Sequence, residues 1–210
     1  MATEPDEQDD RGTRMRRERR AQIVDAAKAV FAEHGYHNAS VSDIIGGARI
    51  ARGTFYLYFE SKQQIFETIL AEALEQLRSR ITRIDVTPDA PPPIEQLRGN
   101  LVRVMDYVLG DPHFSRLLLS HSLSSDAEAA ERVQQFYAHV HGMITHALTH
   151  GVDMGLVRPC NPALIASALL GAARGIIDNV LRAEHPPASS AIVDELIAFA
   201  LRGVVVAGRW

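Results

Sequence analysis

The segment that most constrains the fold of this chain lies at residues 40–62 and reads SVSDIIGGARIARGTFYLYFESK. Ser40 and Asp43 have the spacing of a capping box, in which a hydroxyl accepts an unpaired backbone N–H at the start of a helix. Ile44 and Ala48 fall four residues apart, on one face of the helix that follows, and a glycine pair between them weakens it. The segment therefore begins with a short helix that stops near Ala48.

A second helix is predicted from about Arg52 to Phe59, after a turn near Arg49. Helical spacing places Phe55 and Phe59 on one side, facing a core, and Leu57 is expected to be buried with them. The other side carries groups that can donate hydrogen bonds to phosphates and base edges: Arg52, Thr54, Tyr56 and Tyr58. A helix of this size fits the major groove of B-DNA, so the pair of helices predicts a DNA-binding helix-turn-helix.

The stretch ARGTFYLYFESKQQIF at residues 51–66 resembles the recognition-helix signature of TetR/AcrR-family transcriptional regulators. The resemblance implies an all-α chain with an N-terminal three-helix helix-turn-helix DNA-binding domain and a C-terminal helical ligand-binding and dimerisation domain. It also implies a DNA-facing set of Ser40, Ser42, Arg52, Gly53, Thr54, Tyr56 and Tyr58, with Lys62 at a phosphate.

Two residues depart from the family pattern, because Arg49 stands at the usual turn glycine and Ala51 at the usual Ser or Thr cap. A left-handed conformation at a residue other than glycine costs roughly 1 kcal/mol, and a missing cap costs about as much. A right-handed turn at Arg49 is the alternative, and the sequence leaves both conformations open.

The net charge of −4 is distributed unevenly along the 210 residues. Residues 1–10 hold five acidic and no basic residues, whereas residues 11–62 hold ten basic and five acidic ones. The basic excess includes six arginines that can neutralise phosphates, although such runs are also typical of solvated tails: Arg11, Arg14, Arg16, Arg17, Arg19 and Arg20. We expect a disordered leader at 1–14, the helix-turn-helix domain at 15–62 and a helical effector and dimerisation domain at 63–210.

Helical periodicity without alternating strand patterns predicts helices throughout. The first long helix should run from about Met15 to His34 and end at Gly35, and the helix after the helix-turn-helix should continue to about Ile84. Prolines at 88–93 then predict a loop. Five more helices are expected at about 94–109, 112–122, 126–150, 161–183 and 189–206. Asp111 and Pro112 form a cap and first-turn pair, and Asp126 and Asn161 are among the breaks between the other helices.

Several classes of protein are disfavoured. The single Cys160 excludes an internal disulfide framework, and no apolar run approaches the roughly 20 uncharged residues of a membrane span, so we expect a cytoplasmic protein without a membrane partner. His146 and His150 have metal-binding spacing but lack a companion ligand. Ser120 and His121 are adjacent and would point about 100° apart on a helix, which rules out a triad there. We expect no enzyme activity, no metal and no cofactor.

Ten residues on three middle helices combine apolar bulk with a few polar tips, which is the chemistry of a small-molecule pocket. Residues of this kind also fill ordinary cores, and the family resemblance favours the pocket. The predicted ligand-binding residues are Met105, Tyr107, Phe114, Leu118, His121, Phe136, Tyr137, Val140, Met143 and Ile144.

The last two long helices carry more apolar residues than one packed face requires. One stripe can face the core of the chain, and the other predicts a homodimer, although full burial in a monomer is the alternative. The predicted interface contains Ala168, Gly171, Ala172, Gly175, Leu196 and Phe199. The sequence thus predicts a ligand-responsive regulator, acting as a repressor on a palindromic double-stranded DNA operator and released by a small-molecule effector. A regulator that ignores small molecules or activates transcription, and an enzyme on a helical bundle, are the rivals.

Overall fold

The computed structural model describes residues 6–119 and 126–202, and the regular secondary structure within these ranges is helical, with no strand in them. In chain order the helices are α1 (Asp6–Asn38), α2 (Val41–Ala48), α3 (Arg52–Tyr56), α4 (Lys62–Ser79), α5 (Pro93–Gly110), α6 (Pro112–Leu119), α7 (Ala127–Asp153), α8 (Pro162–Arg182) and α9 (Ser189–Arg202). The predicted all-α fold is confirmed.

The chain forms two compact units. The first contains Met1–Ala71 and Ser120–Arg132, and the second contains Glu72–Leu119 and Val133–Trp210. The division therefore falls inside α4 and inside α7, and not after residue 62 as the sequence suggests.

The first unit extends along α4 because α4 binds the start of α7. Gln63 Nε2 donates to Glu128 Oε1 at 2.5 Å, and Arg132 Nη2 lies 2.9 Å from Glu67 Oε1. These contacts join residues far apart in sequence, which periodicity along one helix could not reveal.

Helix α1 begins at Asp6, so residues 6–14 are helical, in contrast to the disordered leader expected at residues 1–14. Arg14 Nε donates to Glu18 Oε1 at 2.9 Å, a four-residue pair that supports this helical turn. Residues 1–5 lie outside the described ranges. The helix breaks at Gly35 as predicted, where φ 74° and ψ 153° form a conformation that side-chain-bearing residues avoid.

Helix α4 ends at Ser79, earlier than the predicted end near Ile84. The chain beyond it makes its hydrogen bonds with α5. The buried Asn100 side chain accepts the Thr82 N–H at 3.0 Å and donates to the Thr82 carbonyl at 2.8 Å. These bonds satisfy backbone groups that another helical turn would otherwise satisfy.

Helices α6, α7 and α8 begin at capping side chains, of which Asp111 was predicted as a cap and Asp126 and Asn161 as breaks between helices. Each cap accepts a backbone N–H three residues ahead, at 3.0, 3.1 and 3.2 Å for Asp111, Asp126 and Asn161 respectively. In the second unit α5 packs on α9, where Met105, Ile192 and Val193 are buried together.

Helix α8 is the one helix in the described ranges that is long and apolar enough to cross a membrane, with a mean hydropathy of 1.5 over its most apolar 18 residues. Arg174 and Asp178 interrupt the uncharged stretch, as predicted for every apolar run, but these charges still leave α8 with the length and composition of a span. Only 6% of those 18 residues are buried, and the Leu164 side chain is 67% exposed. The described residues thus leave an apolar face of α8 uncovered.

Candidate DNA interface and effector region

Helix α2 begins with the capping box that the sequence predicts. Ser40 Oγ accepts the Asp43 N–H at 3.2 Å, while Asp43 Oδ2 accepts the Ser40 N–H at 2.8 Å and the Ser40 hydroxyl at 2.7 Å. The hydrogen bonds from Ser40 hold the pKa of Asp43 below its usual value. They fix the entry to α2, where Ser40 and Ser42 are both exposed.

The turn between α2 and α3 is left-handed. Arg49 has φ 51° and ψ 47°, and its N–H donates to the Gly46 carbonyl at 3.1 Å. This geometry decides between the two conformations that the sequence left open, and it carries the cost of roughly 1 kcal/mol relative to glycine. Ala51 at the start of α3 makes no side-chain cap, as its methyl group requires.

Helix α1 holds this pair of helices in place. Gln22 Nε2 donates to the Ala48 carbonyl at the end of α2, at 2.7 Å. Ile44 and Ala48 of α2 are buried, as are Ile23 and Ala27 of α1. Helices α1 and α2 therefore form the support for α3, which completes the three-helix arrangement.

Helix α3 ends at Tyr56, so it is shorter than the segment predicted to reach Phe59. Phe55 and Phe59 are buried as predicted. On the other side Arg52 is exposed, and its guanidinium carbon lies 5.9 Å from the Tyr56 ring centre. Of the other predicted DNA-facing residues of this segment, Gly53 and Tyr56 are exposed. Thr54 and Tyr58 are half-buried.

The expectation that Leu57 is buried is wrong, since this side chain is 82% exposed. Regular helix stops one residue earlier, and Leu57 therefore lies on the surface between the two tyrosines Tyr56 and Tyr58. An exposed apolar side chain beside polar ones can contact a thymine methyl group. The hydrophobic pattern alone pointed to the core and gave no sign of this placement.

The structure places Lys62 differently from the phosphate contact that the resemblance implies. Its ammonium donates to the carbonyls of Tyr36 at 2.7 Å, Ala39 at 3.0 Å and His37 at 3.3 Å. It also lies 4.4 Å from the centre of the Tyr36 ring. Lys62 thus ties the start of α4 to the chain that follows the break in α1.

The arginines of the N-terminal segment lie on α1 and not on a separate tail. Arg20 is half-buried, with its guanidinium carbon 5.4 Å from the Phe59 ring centre. The others are exposed: Arg11, Arg14, Arg16, Arg17 and Arg19.

In the second unit the structure brings several predicted ligand residues together. Phe114 is 1% exposed, and its ring centre lies 6.3 Å from that of Tyr107 and 6.0 Å from that of Phe136. Tyr137 packs on Phe136 at 5.6 Å and donates its hydroxyl to the Leu118 carbonyl at 3.3 Å. We call these residues the aromatic cluster: Tyr107, Phe114, Phe136 and Tyr137.

Tyr137 is also covered by α8, because the Arg174 guanidinium carbon lies 4.1 Å from its ring centre. Burial raises the pKa of Tyr137. The remaining predicted residues do not all join the cluster. Met105 packs instead with Ile192 and Val193 in the α5–α9 core.

Three further predicted ligand residues, Val140, Met143 and Ile144, are half-buried along α7. His121 lies outside the described ranges.

The described part of the chain contains no group of three His, Cys, Asp or Glu side chains that could hold a metal ion. His146 and His150 do approach each other, with ring centres 4.8 Å apart.

The predicted dimer residues divide into two groups. Ala168, Gly171 and Gly175 of α8 and Phe199 of α9 are exposed, the last at 50%. Ala172 is half-buried, whereas Leu196 packs against the α5–α9 core of its own chain.

Two family models match the chain. The model for bacterial regulatory proteins of the tetR family matches residues 23–69, which include the helix-turn-helix. The model for the tetracyclin repressor-like C-terminal domain matches residues 90–206, more than half of the chain.

Individual relatives agree with these matches. The chain is 28% identical to the fatty acid metabolism regulator protein of Bacillus subtilis over 145 residues, which are 69% of this chain and 74% of that protein. It is 28% identical over 142 residues to the transcriptional repressor KstR of Rhodococcus jostii, covering 68% of this chain and 65% of that protein.

A solved structure shares the fold. The transcriptional regulator FadR of Bacillus subtilis, in complex with stearoyl-CoA, superposes with a TM-score of 0.70 at 22% identity, covering 88% of this chain and 99% of that one. The family models and the helix-turn-helix geometry lead to one conclusion: the chain belongs to the TetR family of bacterial transcriptional regulators, which are not enzymes.

Proposed function

We propose that the protein is a cytoplasmic homodimeric repressor that binds a palindromic operator and releases it when a long-chain acyl thioester of coenzyme A binds its second unit. The observation that carries this proposal is the exposed surface of α3 and the following turn, which surrounds the buried Phe55 and Phe59 with outward polar side chains.

DNA recognition is assigned to the start of α2 and to α3. Arg52 is exposed and forms no ion pair within the described residues, so its guanidinium can bind a guanine edge in the major groove. The partners proposed beside it are Ser40, Ser42, Gly53, Thr54, Tyr56 and Tyr58. We add Leu57 for apolar contact with thymine, because its apolar side chain is 82% exposed.

Dimerisation is assigned to the uncovered apolar face of α8 together with the end of α9. An apolar face of this length is unfavourable in water and is stabilised by a second copy of the same helix pair. A Cβ atom added to Gly171 or Gly175 would meet no neighbouring atom of the described residues within 4 Å, which leaves room for a partner helix. Two recognition helices per dimer also explain a palindromic operator.

The effector class rests on the relatives and on the aromatic cluster. One relative is named for fatty acid metabolism, and a protein of the same fold binds stearoyl-CoA. In this chain we assign the acyl chain to the half-buried apolar residues of α7 that continue from the aromatic cluster, whose Phe114 and Phe136 are themselves buried.

The proposal is tested by titrating the operator complex of the full chain with stearoyl-CoA while the bound fraction is followed by fluorescence anisotropy. Release at micromolar stearoyl-CoA, with no release by coenzyme A plus glycerol at equal concentration, is the expected result. A complex that is unaffected by acyl thioesters of any chain length would contradict the effector class. A reporter gene fused to the regulated promoter distinguishes repression from activation, because a repressor lowers transcription and an activator raises it.

A further inference from the structure

A surface cleft of about 400 Å³ lies in the second unit. It is lined by Arg80, Arg103, Asp106 and Tyr107, from the end of α4 and the middle of α5. Within the described part of the chain neither arginine has a carboxylate within ion-pair distance. Two guanidinium groups that form no such ion pair can both donate charge-assisted hydrogen bonds to an anion.

Arg103 is held in place by neutral partners. Its Nε donates to the Arg80 carbonyl at 3.0 Å, and its Nη2 donates to Thr82 Oγ1 at 3.2 Å and to Asn100 Oδ1. A guanidinium has five N–H donors, so the Nη1 amino group remains available. A Cβ atom on Gly99 would lie 3.3 Å from Nη1, and the missing side chain therefore leaves this group uncovered.

Arg80 is oriented in a similar way. Its Nη1 donates to the Gln76 carbonyl at 2.8 Å and to Gln76 Oε1 at 2.6 Å, and its guanidinium carbon lies 4.3 Å from the centre of the Tyr107 ring. These contacts leave the Nε and Nη2 donors for a ligand. Both side chains are thus positioned in advance, which lowers the entropic cost of binding.

We propose that the Arg80–Arg103 cleft binds a phosphate group of the effector. Guanidinium groups bind phosphate through paired hydrogen bonds, and two of them outweigh the single charge of Asp106. Tyr107 lines the cleft, and its ring centre lies 6.3 Å from that of Phe114, so a ligand that carries both a phosphate and an apolar chain would hold the chain on the side of the aromatic cluster. The inference rests on the proposed function, since it assumes that the effector carries both parts.

The test is calorimetric titration of the full chain with coenzyme A, stearoyl-CoA and stearate. Stearate has a carboxylate and an acyl chain but no phosphate, so it separates the two sources of negative charge. Arg80→Gln and Arg103→Gln each remove one guanidinium, and Arg103→Lys keeps the charge if glutamine disturbs the contact with Asn100. Arg158→Gln is the matched control, because Arg158 is exposed and donates only to the neighbouring Pro159 carbonyl within the described residues.

We expect Arg80→Gln and Arg103→Gln to weaken coenzyme A and stearoyl-CoA binding by about tenfold or more, and to leave stearate binding within about twofold of the unchanged chain. Arg103→Lys should retain part of the affinity, and Arg158→Gln all of it. Equal stearoyl-CoA affinity in Arg80→Gln and the unchanged chain would overturn the cleft assignment, as would absence of coenzyme A binding. If coenzyme A binding depends on the two arginines but stearoyl-CoA does not release the operator, the cleft assignment is supported and the proposed effector function is contradicted.

Discussion

Replacing Lys62 by methionine separates two roles for this side chain, a phosphate contact and an internal clamp. Methionine keeps the apolar stem but removes the ammonium that donates to three carbonyls at 2.7, 3.0 and 3.3 Å. A hydrogen bond from a charged group contributes about 1.5 to 3 kcal/mol, and the three bonds share one ammonium, so we expect a loss of about 2 to 3 kcal/mol. Because a loss of about 1 kcal/mol in the free energy of unfolding lowers Tm by about 2 to 4 °C in a chain of this length, Tm should fall by about 5 to 10 °C.

The matched variant is Arg52→Gln. Arg52 is exposed, and within the described residues its guanidinium contacts only the Tyr56 ring, so Tm should stay within about 2 °C while operator affinity falls by about tenfold to a hundredfold. Both variants are measured by thermal unfolding and by operator binding at several salt concentrations. If Lys62→Met unfolds like the unchanged chain and lowers the slope of log K against log salt by about 0.9, Lys62 is a phosphate contact and the clamp is refuted.

Three other perturbations test separate parts of the molecule. A Cβ atom at Gly171 meets no neighbouring atom of the described residues within 4 Å, so Gly171→Leu should be tolerated within the chain but should block a partner helix. Light scattering should then show a mass near 23.1 kDa in place of about twice that value, and an intact dimer would exclude this face of α8 from the interface. Burial and nearby carboxylates raise the pKa of Tyr36 to about 12 from 10.0, so the free energy of unfolding should fall by up to about 3 kcal/mol as pH rises from 10.0 to about 12. Urea unfolding of Tyr36→Phe over the same pH range should lack this loss. Deleting residues 1–10 should strengthen non-specific DNA binding at low salt and deleting 1–17 should weaken it, whereas equal affinities would remove the arginines from the mechanism.

Local signals in the sequence predicted the helix starts well. Ser40 with Asp43, and the caps Asp111 and Asn161, act on backbone groups within three residues, so their geometry follows from adjacent sequence. The break at Gly35 is equally local, because only glycine adopts its conformation without strain.

Features set by distant parts of the chain could not be predicted in this way. Leu57 has the composition of a core residue and is exposed because α3 is short. Lys62 binds carbonyls more than twenty residues earlier in the chain, and Asn100 replaces the last turn predicted for α4. The arginine pair of the cleft was likewise not indicated by the sequence, since the two side chains meet only after the segment that follows α4 has packed on α5.

The DNA sequence that the protein selects gives the most direct test of the proposed dimer. Selection of bound sequences from a random duplex pool by the full chain should enrich an inverted repeat whose half-sites lie about 10 base pairs apart, or a multiple of that spacing. Arg52→Gln should relax the preference at one position in each half-site, because one guanidinium contacts one base pair there. Enrichment of a single half-site, or of no sequence at all, would contradict the proposal of a dimer that reads its operator through α3.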